Sequence, residues 1–184
     1  MVSKEEDIMW MKQALVLAQK ALEAGEFPVG CILVSGNNMV GSGARQHSRQ
    51  EGLNELDHGE IMAIRDWLAR GAKRDGIVCA YCTMEPCLMC LGALILNGVN
   101  RIVYAYEDVM GGAAGLDRSK PLSAVWNESC PEILNGHLYR ADTIEIVGGI
   151  CRGESLALFK KFFKDERNSY WKGSLLARYT MNAT

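Results

Sequence analysis

Asp57-His58-Gly59-Glu60, answered further along by Glu85-Pro86-Cys87-Leu88-Met89-Cys90, is the pair of stretches around which this chain is organised. One imidazole and two thiols, His58, Cys87 and Cys90, are the donors that zinc prefers, and three protein ligands leave its fourth tetrahedral position open for a water. An open position points to chemistry. Glu60, two residues past the histidine, is placed to move protons on that water, whose pKa a catalytic zinc brings to about 7. Two plainer readings stand beside this one: a surface histidine with two core thiols at helical spacing, and a closed structural zinc site. A closed site needs a fourth protein ligand, and the nearest unused candidates, Cys79 and Cys82, lie in a strand-like run from Ile77 to Thr83. Residues three apart on a strand face opposite sides of the sheet, so those two sulfurs diverge.

The periodicity around these stretches alternates between helix and strand. Ser3-Lys4-Glu5-Glu6 fits a capping box, and Ile8, Met11, Leu15, Ala18 and Leu22 recur at helical spacing as far as Gly25. Phe27 to Val34, a turn at Gly36-Asn37-Asn38, and Met39 to Gly43 predict a hairpin. A polar loop from Ala44 to Leu56 then delivers His58 to the start of a helix that ends near Gly71, with Asp57 as its expected N-cap. In that frame Asp57-x-x-Glu60 also satisfies the capping-box spacing, so Glu60 has a structural reading beside the catalytic one. After the third strand, Pro86 begins a helix running to about Gly98, with Cys87 and Cys90 on one face of its first turn. Unpaired backbone N–H groups and the positive end of the helix dipole favour thiolates there. Leu88, Met89, Leu91 and Ala93 to Leu96 leave this helix almost no polar face, so it needs cover on nearly all sides, and a second copy of the chain is expected to supply part of it. Arg101 to Tyr106 and Thr143 to Val147 are the fourth and fifth strands, and residues 151 to 166 form a further amphipathic helix. The connection from Glu107 to Asp142 holds no long periodic segment and is long enough for the last two strands to run parallel. The expected fold class is α/β: a three-layer α/β/α domain around a five-stranded mixed sheet.

A length of 184 residues with 48% apolar content fits one domain, residues 1–184, with a core over about 7–166 and a C-terminal segment, 167–184, as a candidate cap on the site. The formal charge of −2 gives no global basic field, which weighs mildly against a nucleic-acid partner. The acidic N-terminus does not read as a signal peptide, no stretch is long and apolar enough to span a bilayer, and seven cysteines are an odd number, so a cytoplasmic chain with free thiols and no membrane partner is expected.

The combination H-x-E with P-C-x-x-C resembles the signature of the zinc-dependent cytidine and deoxycytidylate deaminase superfamily. Pro28-Val29-Gly30 and Gly112-Ala113-Ala114-Gly115 resemble segments of the tRNA adenosine deaminases, whereas His58-Gly59-Glu60 is closer to fungal cytosine deaminase, with Gly in place of Ala. The resemblance implies the cytidine-deaminase-like fold, Zn²⁺ held by His58, Cys87 and Cys90, and hydrolytic release of ammonia with Glu60 as proton shuttle. It also implies that the Gly59 amide and the Glu85 carbonyl grip the base, and that Asp108 matches a loop Asp of the tRNA enzymes.

On substrate the resemblance divides. Where both kinds of deaminase carry an Asn that bonds the base, this chain has Arg45, which only donates, so a substrate with an acidic or carbonyl group is one reading and a solvated loop Arg the other. Asp165-Glu166-Arg167 with Trp171 resembles the closing segment of fungal cytosine deaminase, although Ser174 falls where that enzyme holds the amine with an Asp; Trp171, Tyr170 and Tyr179 also read as anchors of a packed tail. Met110 stands where a bacterial guanine deaminase would want an Asp. A free nucleobase, nucleoside or related small heterocycle, cytosine-like, is the favoured substrate class. A tRNA adenosine is the alternative, kept in play by Lys160, Lys161, Lys164, Arg167 and Lys172, and an inactive zinc-stabilised binding subunit is the third reading.

Overall fold

Ser3 opens the first helix as its sequence demands: its hydroxyl accepts from the Glu6 amide while the Glu6 carboxylate accepts from the Ser3 amide, and α1 runs Lys4–Glu23. The computed structural model describes residues 2–49, 52–71, 76–119, 138–139 and 144–184. Cys130, the expected strand start at Thr143 and most of the connection from Glu107 to Asp142 lie outside the described residues. The remaining elements are β1 (Gly30–Ser35), β2 (Asn38–Ala44), α2 (Gly59–Ala69), β3 (Val78–Met84), α3 (Leu88–Leu96), β4 (Arg101–Tyr106), β5 (Glu145–Gly148), α4 (Arg152–Lys164) and α5 (Leu175–Asn182).

The strands form a five-stranded sheet in the order β2-β1-β3-β4-β5. β1 pairs antiparallel with both β2 and β3, while β3/β4 and β4/β5 are parallel, so the expected mixed sheet is present. Alternation along the central strands divides the core into layers. Cys31, Leu33, Ala80 and Cys82 face Ala63, Trp67, Leu91 and Leu94 of α2 and α3. Ile32, Val34, Cys79 and Tyr81 face Met11 and Ala14 of α1. A third cluster, Phe27, Tyr106, Phe159, Phe162 and Leu176, joins α4 and α5 to one end of the sheet. Burying each of these large side chains contributes about 1.5–3 kcal/mol. Cys79 and Cys82 therefore fall on opposite faces of the sheet, as their spacing requires.

Two features fix the site. A Cβ on Gly43 of β2 would lie 2.3 Å from the Ala63 amide nitrogen and 2.4 Å from the Gly59 carbonyl oxygen, so only glycine lets α2 seat this closely on the sheet and carry His58 and Glu60 with it. The chain also leaves β3 at Met84 and β4 at Tyr106, two parallel neighbours, and the loops beyond those carboxyl ends meet the N-terminus of α3. Crevices outside the carboxyl ends of parallel strands are where open α/β sheets bind ligands.

Sequence reading stopped short of α5. Ser174 accepts from the Ala177 amide as the N-cap of this helix, Leu176 and Ala177 are buried, and Tyr106 and Thr180 share a hydroxyl hydrogen bond of 3.0 Å. Eight residues carry too few periodic positions to announce a helix that tertiary packing supports. Leu88 and Leu96 of α3 are exposed in the single chain. No helix among the described residues is long and apolar enough to cross a membrane.

Candidate active site

His58 and Cys87 are both N-cap residues in extended conformation, with φ/ψ of −68°/151° and −69°/172°, and the starts of α2 and α3 therefore face each other. His58 Nδ1 lies 3.7 Å from Cys87 Sγ and 3.5 Å from Cys90 Sγ, and the three donor atoms lie within 4.8 Å of one another. Metal bonds of about 2.0–2.3 Å arranged tetrahedrally place neighbouring donors about 3.3–3.8 Å apart, so these side chains already stand at the spacing of a zinc shell. The Cys87 thiol is lowered to about 4, chiefly by the hydrogen bond from Cys90 and further by His58, while Cys90 is pushed up by the thiolate beside it. Cys90 and His58 thus favour the thiolate form of Cys87.

Glu60 is buried in the first turn of α2 and its Oε2 accepts from the Cys90 thiol at 3.4 Å. Burial pushes its carboxyl above the ordinary range. The capping-box frame does not form, because His58, not Asp57, is the N-cap and no side chain caps this helix. Asp57 is spent elsewhere: its carboxylate accepts from Asn54 and Arg65 and pairs with His47 Nδ1 at 2.8 Å, which holds the end of the loop that carries His58. Among the described residues the donor cluster stops at three, and the Cys82 sulfur lies 3.7 Å from Cys31 instead.

Beside this centre is a cavity of about 200 Å³. Of the residues singled out in the sequence, Glu60, His58, Cys87, Gly59, Glu85, Arg45, Asp108 and Trp171 all line it, and Cys90 lies beneath. Glu85 does more than line it: its carboxylate accepts from the Asp108 amide at 3.1 Å and the Ala114 amide at 2.9 Å. A Cβ on Gly112 would sit 2.6 Å from the Asp108 carbonyl oxygen and 2.4 Å from the Glu85 carboxyl carbon, and the backbone contact is the physical reason for glycine in that loop. The Asp108 side chain accepts from the Met110 amide and shapes the same turn. At Gly59 a Cβ would lie 3.3 Å from the Val29 carbonyl oxygen, a tight contact that admits a side chain only if that backbone yields slightly.

Arg45 is not a solvated loop residue. It is 2% exposed, and its Nη1 donates to the Asn54 carbonyl while Nη2 donates to Glu55 and Tyr170, leaving only Nε without a partner. The C-terminal segment closes over the cavity with Tyr170, Trp171 and Leu176, and the Leu176 amide donates to Met110 sulfur. Tyr170 packs edge-on to Phe27 at 5.2 Å and under the Arg45 guanidinium at 5.5 Å. Both readings of the tail thus describe one segment: Tyr170 anchors it, and Trp171, still partly exposed, borders the cavity. Phe27, Glu55 and Leu176 also line it without having been singled out for it, Met110 borders it as well, and nothing local in the sequence marks Glu55, whose partners are Arg45, His58 and Tyr170.

A His and two Cys at zinc spacing, a buried carboxylate beside them and a base-sized cavity are the parts of a zinc-dependent hydrolytic site. The family model for the cytidine and deoxycytidylate deaminase zinc-binding region matches residues 4–106. The chain belongs to that family and resembles its tRNA adenosine deaminase branch. It is 34% identical over 170 residues to tRNA-specific adenosine deaminase 2 of Xenopus laevis, covering 88% of this chain and 89% of that protein. To the tRNA-specific adenosine deaminase of Bacillus subtilis it is 30% identical, covering 88% and 91%. A solved structure from a study of A-to-I editing by tRNA:A34 deaminases superposes with a TM-score of 0.59 at 30% identity, covering 80% of this chain and 96% of that one. A structure solved with 2,6-diaminopurine shares the fold, with a TM-score of 0.62 at 20% identity, covering 88% and 82%.

Proposed function

We propose that this chain deaminates an adenosine presented within a tRNA, converting it to inosine with release of ammonia. The observation that carries the reading is similarity running nearly end to end to proteins named for that activity, at 30–34% identity over 170 residues. The preference for a small substrate drawn from net charge loses weight, because affinity for RNA depends on where cations sit and not on their sum. Tyr170 lines both the cavity and an adjoining hollow with Arg49, Arg167 and Asn168, so basic groups flank the mouth of the site.

Zinc held by His58, Cys87 and Cys90 would supply the Lewis acidity that makes a water nucleophilic near neutral pH. Glu60 would take the first proton of the attacking water and pass it to the ring nitrogen, then carry the second, from the hydroxyl newly added at the amine-bearing carbon, to the departing amine, so that one water is consumed and the amine leaves as ammonia. The Gly59 amide and the Glu85 carbonyl fix the edge of the base, and Asp108 and Trp171 border it. The Glu85 side chain supports this by bracing the loop that carries Asp108. A homodimer through the exposed leucines of α3 completes the proposal, to be checked by sedimentation of the Leu88→Glu variant, which should be monomeric.

A small free heterocycle is the second reading, favoured by His58-Gly59-Glu60 and by the Tyr170-Trp171 segment bordering the cavity, the features that resemble fungal cytosine deaminase. Ammonia release from an anticodon stem-loop and from a panel of free bases and nucleosides separates the two. The tRNA reading expects turnover of the stem-loop that falls steeply as salt rises, because several phosphate contacts are lost together. Turnover of a free base with little salt dependence, and none of the stem-loop, would replace it with the second reading.

A further inference from the structure

We propose that Glu55 is a positioning residue that fixes the His58 ring from its outer nitrogen and, with the same carboxylate oxygen, latches the C-terminal segment over the cavity. His58 turns Nδ1 to the two sulfurs, and its Nε2 faces Glu55 Oε2 at 3.7 Å. A metal-bound histidine ordinarily gives its second N–H to a carboxylate or carbonyl, which fixes the tautomer and the ring plane. Asp57, the nearer carboxylate in sequence, is occupied by His47, Asn54 and Arg65. Glu55 is therefore the carboxylate that stands at ion-pair distance from this nitrogen, a short side-chain adjustment from accepting its N–H.

The same Oε2 accepts from Arg45 Nη2 at 2.9 Å and from the Tyr170 hydroxyl at 2.9 Å. Arg45 is buried and braced on the Asn54 carbonyl, so it serves as a strut that keeps Glu55 pointed at both partners. Tyr170 comes from the segment that also brings Trp171 and Leu176 to the cavity. One oxygen thus joins a metal ligand to the cover of the site, and whatever lifts Tyr170 to admit substrate breaks a bond to the group that orients His58. The proposal depends on the zinc site and not on which base is turned over, so failure of the substrate reading leaves it standing.

The test uses the full-length, zinc-loaded protein, and because the half-exposed Glu55 is also the ion-pair partner of buried Arg45, global unfolding is followed beside every variant. Three quantities are read: zinc transfer to a chromogenic chelator, trypsin cleavage at the exposed Lys172, and the rate of global unfolding. Glu55→Gln is expected to speed zinc transfer about 10–100-fold, the range found when such outer partners are removed, and to speed cleavage at Lys172. Tyr170→Phe should speed cleavage alone, with zinc transfer as in the parent protein. Glu55→Asp, which keeps the charge but shortens the reach, should fall between parent and Gln. Zinc transfer or tail protection unchanged in Glu55→Gln would overturn the proposal, as would zinc transfer that rises only in step with global unfolding.

Discussion

Glu60 is the residue at which structure and chemistry meet most closely. Burial raises its carboxyl, the direction needed by a group that must return protons as well as take them. Glu60→Gln is expected to keep the fold and the zinc while lowering turnover by at least about 10²-fold, which elemental analysis and steady-state ammonia release together check. Near-parental turnover would count against the catalytic role, because Gln reproduces only the size of the side chain and its hydrogen-bonding reach. His58, Cys87, Cys90 and Glu60 were legible because their chemistry is local: two short motifs put four functional groups on two helix starts. Arg45 was not. Its position was visible as a departure from the family pattern, but its hydrogen bonds run to Asn54, Glu55 and Tyr170, and no spacing rule reaches a partner from the tail.

Among the elements, α5 docks through an ionisable group whose shift gives that docking a pH dependence. Glu107, just past β4, pairs with Arg152 at 2.6 Å and accepts from the Tyr179 hydroxyl of α5 at 2.6 Å. These contacts, Arg152 first, hold the Glu107 carboxyl at about 2, below its ordinary value of 4.5. A carboxyl lowered in the folded state contributes stability that is fully present above its ordinary value and is lost as pH falls through the lowered one. Glu107→Gln should therefore lower the urea midpoint at pH 7, and the gap from the parent protein should close as pH is taken down toward 2. A gap that stays constant across that range would remove the ion pair from the account. The elements with clean periods, α1, β1 and β4, fall within a few residues of where sequence puts them, whereas the N-cap of α2 is His58, one residue past the expected Asp57, whose carboxylate is engaged by His47 and Arg65.

For the whole molecule, the metal is a tie between α2 and α3. Because zinc binds the folded arrangement, it should stabilise the protein by an amount that grows with its free concentration, about 4 kcal/mol at a thousandfold excess over Kd. Stripping with a chelator is expected to lower the melting temperature, and zinc should restore it. Cys90→Ser should begin near the stripped value and respond little to either treatment, since a site that needs three ligands has lost one. A chelator-insensitive melting curve for a protein shown to carry zinc would mean that the site adds nothing to the fold.

The sequence by itself determined the mixed α/β order, the room for β4 and β5 to run parallel, the divergence of Cys79 from Cys82 and the candidate zinc ligands. Each of these depends on a period or a spacing within one or two elements. Only the tertiary structure decided that Asp57 braces the loop instead of capping α2, that Ser174 caps a helix, and that Glu55, Arg45 and Tyr170 meet at one oxygen beside the metal ligand. Those outcomes depend on segments more than a hundred residues apart being brought together by the burial of Phe27, Phe159 and Phe162, and a sequence read in order carries no record of which distant polar groups that burial will leave facing one another.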